Sequence, residues 1–312
     1  MARYRTLVLF LALSAIWGSA FVAISAGLEH FPPVLFAALR YDVAGIVMLG
    51  YAAYAVEDWR PRGRGEWAVV AVGAVLLIAA YHAFLFVGQQ HTTAAAAAIV
   101  VSLSPVLTTG FARALVPSDA LSTLGVVGLG LGVVGVGVIA RPDPSNLLTT
   151  DVVATGLIFC AALSFALGAV LTRRLEADLP IETMEAWSML GGAVVMHVVS
   201  LGLGEPVEPT TWTHPEAIGA LGYLAIVASA LGFMLYFVLL ERLGAVEINM
   251  VSYVAPVFAA LVGWLYLGEA VDATTVVGFL LIAAGFVLVK RRALREEFAH
   301  VRRASSRSHD PP

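Results

Sequence analysis

From Ala245 to Leu267 the chain runs for 23 residues with one formal charge, Glu247. A helix rising ~1.5 Å per residue crosses a hydrocarbon layer of ~30 Å over that length, so the stretch reads as a membrane span. Pro256 falls near its middle, where it removes a backbone donor and frees a carbonyl one turn earlier. In lipid that carbonyl needs a neighbouring helix or a water-lined cavity. The apolar runs predict ten spans in all, at 6–28, 33–56, 68–88, 92–112, 121–140, 152–172, 181–202, 217–240, 245–267 and 273–289. A chain that is 60% hydrophobic and 13% charged lies outside the soluble globular range. The expected fold is therefore an all-α polytopic membrane protein. Cys160, the single cysteine, allows no intrachain disulfide and reads as a buried, inert thiol.

The second half repeats the first. Ser104-Pro105-Val106 corresponds to Ala255-Pro256-Val257 at an offset of 151, Gly128 and Gly135 to Gly278 and Gly285 at 150, and Pro32 to Pro180 at 148. An offset near half the chain length that persists over several helices indicates internal duplication, with bounds at 1–145 and 146–290. With the N-terminus inside, the inner segments hold 16 of the Lys and Arg residues and the outer ones Arg141 alone, leaving Arg40 within a helix. This bias puts both termini in the cytoplasm of a plasma-membrane protein. Five spans per repeat then force the halves into opposite orientations, giving two inverted five-helix repeats. Residues 291–312 read as a basic, disordered tail near anionic lipid.

The motifs Ala-Leu-Ser-Ala-Ile-Trp-Gly-Ser at 12–19, Ala-Leu-Arg at 38–40 and Leu-Ser-Pro-Val at 103–106 occupy the first half. The second half holds Leu-Glu-Arg-Leu-Gly-Ala at 240–245, Val-Ala-Pro-Val at 254–257, Leu-Gly-Glu at 267–269 and Gly-Phe-Val-Leu-Val-Lys-Arg at 285–291. Together they resemble the drug/metabolite transporter superfamily, in particular the ten-helix EamA-type permeases. The resemblance covers nearly the whole chain and implies export or exchange of small organic solutes such as amino acids or metabolites. One departure stands out: the family repeats its Leu-Gly-Glu in the first half, where this chain has Val116-Pro117-Ser118. Glu269 then reads as a structural turn acid near Asp272.

An ionisable side chain within a span is costly unless it meets a partner or a polar cavity. Arg40 lies about seven residues into the second span and His82 six residues from the outer end of the third. The functional reading puts them in one outer-half site, Arg40 on a solute carboxylate or phosphate and His82 as a donor or titratable group. The structural alternative pairs Arg40 with Asp42 or with carbonyls, although two residues apart on a helix point different ways. Near the inner side, Glu247 and Asn249 open the ninth span, and Glu182 and Glu185 the seventh. Glu182 and Glu247 suit the helix dipole as caps, while Glu185, one turn deeper, is a candidate ion or proton site. Glu185 and Glu247 are the coupling candidates, and His197 reads as interfacial.

Around the kink prolines Pro105 and Pro256 lie Ser102, Ser104, Ser252 and Tyr253, joined by Trp17, Ser19, Tyr81 and Tyr236. If the repeats face one another across a cavity, these side chains line it; singly, each suits helix packing as well. The glycines of the fifth and tenth spans read as a close-packed scaffold, with a homodimer face as the second reading.

No Walker loop, HExxH, CxxC, EF-hand or GxSxG occurs, so nothing points to a metal or cofactor, an ATP-driven pump or an intramembrane zinc protease. The partners expected are a small organic solute and membrane lipid, with no nucleic acid. The expected function is a secondary-active permease or exporter working by alternating access, and not an enzyme. The alternatives are an uncoupled facilitator of the same solutes and an integral-membrane enzyme acting on a lipid or prenyl substrate.

Overall fold

A computed structural model describes residues 2–115, 123–142, 148–206 and 209–307, and they form a bundle of helices. We label these α1 (Ala2–Leu28), α2 (Pro33–Ala55), α3 (Arg64–Gln89), α4 (Ala94–Leu115), α5 (Thr123–Ala140), α6 (Thr150–Arg174), α7 (Ile181–Leu203), α8 (Pro215–Gly244), α9 (Val251–Leu267) and α10 (Ala273–Arg307). Among the described residues seven helices are long and apolar enough to cross a membrane. Three shorter apolar stretches, Leu124–Ala140, Val251–Leu267 and Ala273–Val289, accompany them.

Small residues set how closely these helices approach, because apolar burial gives no net drive between helices already in lipid. A Cβ on Gly18 of α1 would lie 2.4 Å from the Ala255 carbonyl of α9, and one on Gly88 of α3 would lie 2.7 Å from the Ala154 carbonyl of α6. The tightest crossing joins α5 to α10. There a Cβ on Gly285 would meet the Gly128 carbonyl at 2.4 Å, and one on Gly135 the Gly278 carbonyl at 2.8 Å. Since 128 faces 285 and 135 faces 278, the two helices run antiparallel. The glycine edges expected to pack are consumed in this crossing.

Two helices end in the same way. Gly204 after α7 and Gly268 after α9 both take the left-handed conformation (φ 68°), which a residue without Cβ adopts freely, and each is followed by a glutamate. Each glutamate reaches a helix N-terminus in the first half of the chain. Glu205 accepts the Val34 and Leu35 N–H groups of α2 at 3.0 and 2.8 Å, and Glu269 accepts the Ala94 N–H of α4 at 3.0 Å. A carboxylate there satisfies orphan donors and meets the positive end of the helix dipole. Asp272, beside Glu269, caps α10 through the Thr275 N–H and pairs with Arg141.

Burial pushes the Glu269 carboxyl above its ordinary value, and the Ala94 N–H opposes that shift. The folded chain thus holds this proton more tightly than the unfolded chain. The group's contribution to stability is lost as pH rises above the ordinary carboxylate range. Glu269→Gln, which keeps an acceptor oxygen, is expected to flatten this dependence in thermal melts across pH 4 to 8. Glu269→Ala is expected to lose the cap and about 0.5–2 kcal/mol.

The structure refines several expectations. The fourth span is helical over Ala94–Val101 and Ser104–Leu115 with a break at 102–103, just before Pro105. Pro256 instead lies inside an uninterrupted α9, and the irregular turn falls earlier, at 249–250, after a break at Gly244 (φ 81°, ψ 172°). The helix of α10 continues to Arg307, where the sequence suggested a disordered tail; Ala, Leu, Arg and Glu are all good helix formers at 293–297. Cys160 is exposed on the outer side of α6 rather than buried. Residues 116–118, where the family's first Leu-Gly-Glu is missing, and the boundary at 145 lie outside the described residues.

Candidate functional site

Two helices carry long π-helical stretches at matching positions, Gly73–Ala80 in α3 and Tyr223–Leu231 in α8, an offset of 150. A π turn leaves carbonyls poorly satisfied within the helix and is frequent at functional sites. Here side chains from other turns take up those carbonyls. Ile78 O accepts His82 Nδ1 (2.8 Å), Leu76 O accepts Ser164 Oγ (2.9 Å), and Ala228 O accepts Trp17 Nε1 (3.1 Å).

Arg40, about two turns below the start of α2, is 6% exposed and reaches the second of these stretches. Its Nε donates to Ser229 Oγ at 2.9 Å, and Ser229 is fully buried. No carboxylate of a described residue lies within 4.0 Å of the guanidinium, and its two terminal nitrogens donate no hydrogen bond to a described residue. The sequence alternative of an Arg40–Asp42 pair is not what forms. Asp42 points to the other side of α2 and meets His197 at 2.7 Å.

His82 is engaged at both nitrogens. Nδ1 must carry the proton to donate to Ile78 O, which leaves Nε2 to accept from the Tyr41 hydroxyl at 2.7 Å. The imidazole therefore holds Tyr41, and Tyr41 lies beneath the Arg40 guanidinium (5.1 Å from its ring centroid). Tyr81 packs edge-on to His82 and against Phe165.

The other wall comes from α1 and α8. Trp17 stacks near Phe233 and Tyr236, with centroids at 5.9 and 5.7 Å. Ser19 Oγ and Tyr223 OH lie 2.6 Å apart, and Tyr223 also donates to Ile16 O. Gly232 admits the Trp17 ring, since a Cβ there would lie 2.8 Å from Nε1. Glu185 lies one turn into α7, partly buried, and no hydrogen bond or ion pair to a described residue engages its carboxylate. One cluster thus gathers a cation, an imidazole, four tyrosines, an indole and two serines.

Of the sequence candidates, Trp17, Ser19, Arg40, Tyr81, His82 and Tyr236 come together, and Glu185 stands apart on α7. The rest fall elsewhere. Ser104 Oγ donates to Val101 O at 2.7 Å, the carbonyl that Pro105 cannot serve, and Ser102 Oγ donates to Ile99 O at 2.6 Å. Tyr253 packs on Phe286 of α10 with ring centroids at 4.4 Å. Ser252 is half-buried in the first turn of α9, Glu247 lies in the short helical segment that follows the break at Gly244, and Asn249 lies in the turn before α9. Tyr41, Tyr223 and Ser229 are cluster members that the sequence reading missed. Glu205 was missed too, although Leu203-Gly204-Glu205 repeats the Leu267-Gly268-Glu269 motif and marked it.

Comparison with known proteins agrees with this architecture. The profile of the EamA-like transporter family matches residues 5–141 and again 153–291. Among curated relatives, the uncharacterized inner membrane transporter YedA of Escherichia coli (strain K12) is 29% identical over 292 residues, covering 88% of this chain and 92% of its own length. The uncharacterized transporter YoaV of Bacillus subtilis (strain 168) is 24% identical over 278 residues, covering 89% and 94%. A protein of known crystal structure shares the fold with a TM-score of 0.63 at 24% identity, covering 94% of this chain and 99% of its own. A family profile that matches twice and spans nearly the whole chain, on a bundle of apolar helices, makes this protein a member of the EamA-like transporter family and a multi-pass membrane transporter.

Proposed function

We propose that the protein is a secondary transporter of a small organic solute bearing a carboxylate, such as an amino acid. It works by alternating access in the plasma membrane, with both termini in the cytoplasm. The observation that carries this reading is Arg40: a guanidinium buried in a span, held by Ser229 at one nitrogen and matched by no carboxylate among the described residues. A cation is costly within lipid, and an anionic solute supplies the missing partner through a charge-assisted, two-pronged hydrogen bond. Glu185 of α7, the helix packed against α2, gives the ammonium end of a zwitterion its counter-charge, or serves as the coupling acid. Trp17, Tyr81 and Tyr236 offer apolar contact to the solute's body.

Internal symmetry supports two inverted repeats. The π stretches correspond at an offset of 150. The contact of 128 with 285 becomes that of 278 with 135 under the same shift, as a pseudo-twofold axis between α5 and α10 requires. The four remaining helices of each repeat then rock about the polar cluster while α5 and α10 brace the bundle.

Purified protein in liposomes tests the proposal. Saturable uptake accelerated by the same solute preloaded inside is expected. Conversion of a lipid or prenyl substrate without exchange would contradict the proposal and favour a membrane enzyme. Glu185→Gln is expected to abolish acceleration by an imposed proton gradient if the acid couples, and to lower the affinity for amino-bearing solutes if it binds the ammonium.

A further inference from the structure

Arg40 and Asp42 stand two residues apart on α2 and so project to opposite sides. Arg40 enters the bundle, while Asp42 emerges on the outer surface and meets His197 of α7 at 2.7 Å, the two side chains 39% and 35% exposed. Asp42 is nine residues from Pro33 at the start of α2, and His197 six from Leu203 at the end of α7. At ~1.5 Å per residue the pair lies roughly 9–13 Å below the helix ends, at the depth of the hydrocarbon. The other ion pairs among the described residues, His30–Glu216, Arg62–Asp58 and Arg141–Asp272, all sit at helix ends or in loops.

The surroundings of the pair are apolar. Val43, Ile46, Val194, Val198 and Leu201 are 40–80% exposed around it. The core faces of the same helices, Ala44 and Met48 on α2 and Ala193 and Met196 on α7, are sealed. A polar pair left facing acyl chains is disfavoured, and this one is only half satisfied. His197 spends Nε2 on Asp42 Oδ2, while Nδ1 and Oδ1 make no hydrogen bond to a described residue.

We propose that this face of α2 and α7 is the contact surface for a second copy of the chain. The patch carries an acid and a base side by side, so a twofold axis through it brings the His197 of one copy to the Asp42 of the other and the reverse. That is the reciprocal, self-complementary arrangement of a closed dimer. Polar contacts between helices in lipid serve as such glue, and the branched residues on either side supply packing. The α5–α10 glycine edges, the other face to which the sequence assigned dimerisation, are already occupied within one chain.

Single-molecule bleaching of labelled protein in bilayers tests this. Wild type is expected to bleach in two steps, and Asp42→Asn with His197→Gln to raise the apparent dimer Kd by about tenfold. Ile46→Trp, a bulky change on the outward side, is expected to give monomers that retain the wild-type thermal melt. In a Cys160→Ser background, Val198→Cys is expected to cross-link between copies and Val133→Cys of α5 not to. A single bleaching step for wild type would overturn the proposal. So would cross-linking at Val133 alone, or a monomer that retains a phospholipid lost from the Asp42/His197 variant, which would make a lipid headgroup the occupant.

Discussion

Replacing Arg40 with glutamine is expected to abolish high-affinity solute binding while leaving the fold intact or slightly more stable. Among the described residues the guanidinium makes one hydrogen bond, through Nε to Ser229. A buried cation with so little compensation costs stability, so the neutral side chain removes that cost. Binding moves the other way. Truncating one partner of a buried, hydrogen-bonded charge pair costs about 2–5 kcal/mol, or roughly thirty- to several-thousand-fold in affinity. Arg40→Lys keeps the charge but loses the planar fork, so its affinity is expected to fall between the two. The measurement is a ligand-dependent thermal melt of each variant. A ligand shift that survived in Arg40→Gln would remove Arg40 from the site.

The second large effect is structural. In Gly285→Leu the first added carbon would stand 2.4 Å from the Gly128 carbonyl, so the backbones of α5 and α10 must separate. Overpacking of this kind costs about 1–3 kcal/mol where side chains can yield. Here backbone is the obstacle, and a loss of at least about 3 kcal/mol lowers the melting temperature by about 5 °C or more. Gly137→Ala on α5 is the matched control. No atom lies within 4 Å of its added carbon, and alanine is the better helix former by about 1 kcal/mol, so a small stabilisation is expected.

Both predictions show what the sequence carried. Span positions and the pairing of glycines across the repeat were legible, because length, hydropathy and periodic spacing act locally and leave one residue type per position. Arg40 stood out for the same reason: a charge in an apolar run needs no tertiary information to be conspicuous. Its seat on Ser229 was hidden, because nothing in Tyr-Leu-Ala-Ile-Val-Ala-Ser-Ala-Leu marks a π helix, and that turn is what aims the serine. The serines flanking Pro105 misled for a related reason. A proline in a span leaves a carbonyl free, and a neighbouring hydroxyl on the same helix is the nearest donor, so proximity to the proline signals repair as readily as binding. Tyr253 packs on Phe286 of α10 rather than joining the cluster. That distinction depends on helix rotation, which uniformly apolar sequence does not encode.

The central claim is that a buried cation selects an anionic solute for exchange across the membrane. It is tested most directly by counterflow in liposomes, comparing an amino acid with its carboxamide, a pair of nearly equal size that differs in the negative charge. Trans-stimulated uptake of the amino acid by the wild type, absent for the amide and absent for both in Arg40→Gln, is the predicted result. Equal exchange of acid and amide, or exchange undiminished in Arg40→Gln, would contradict it.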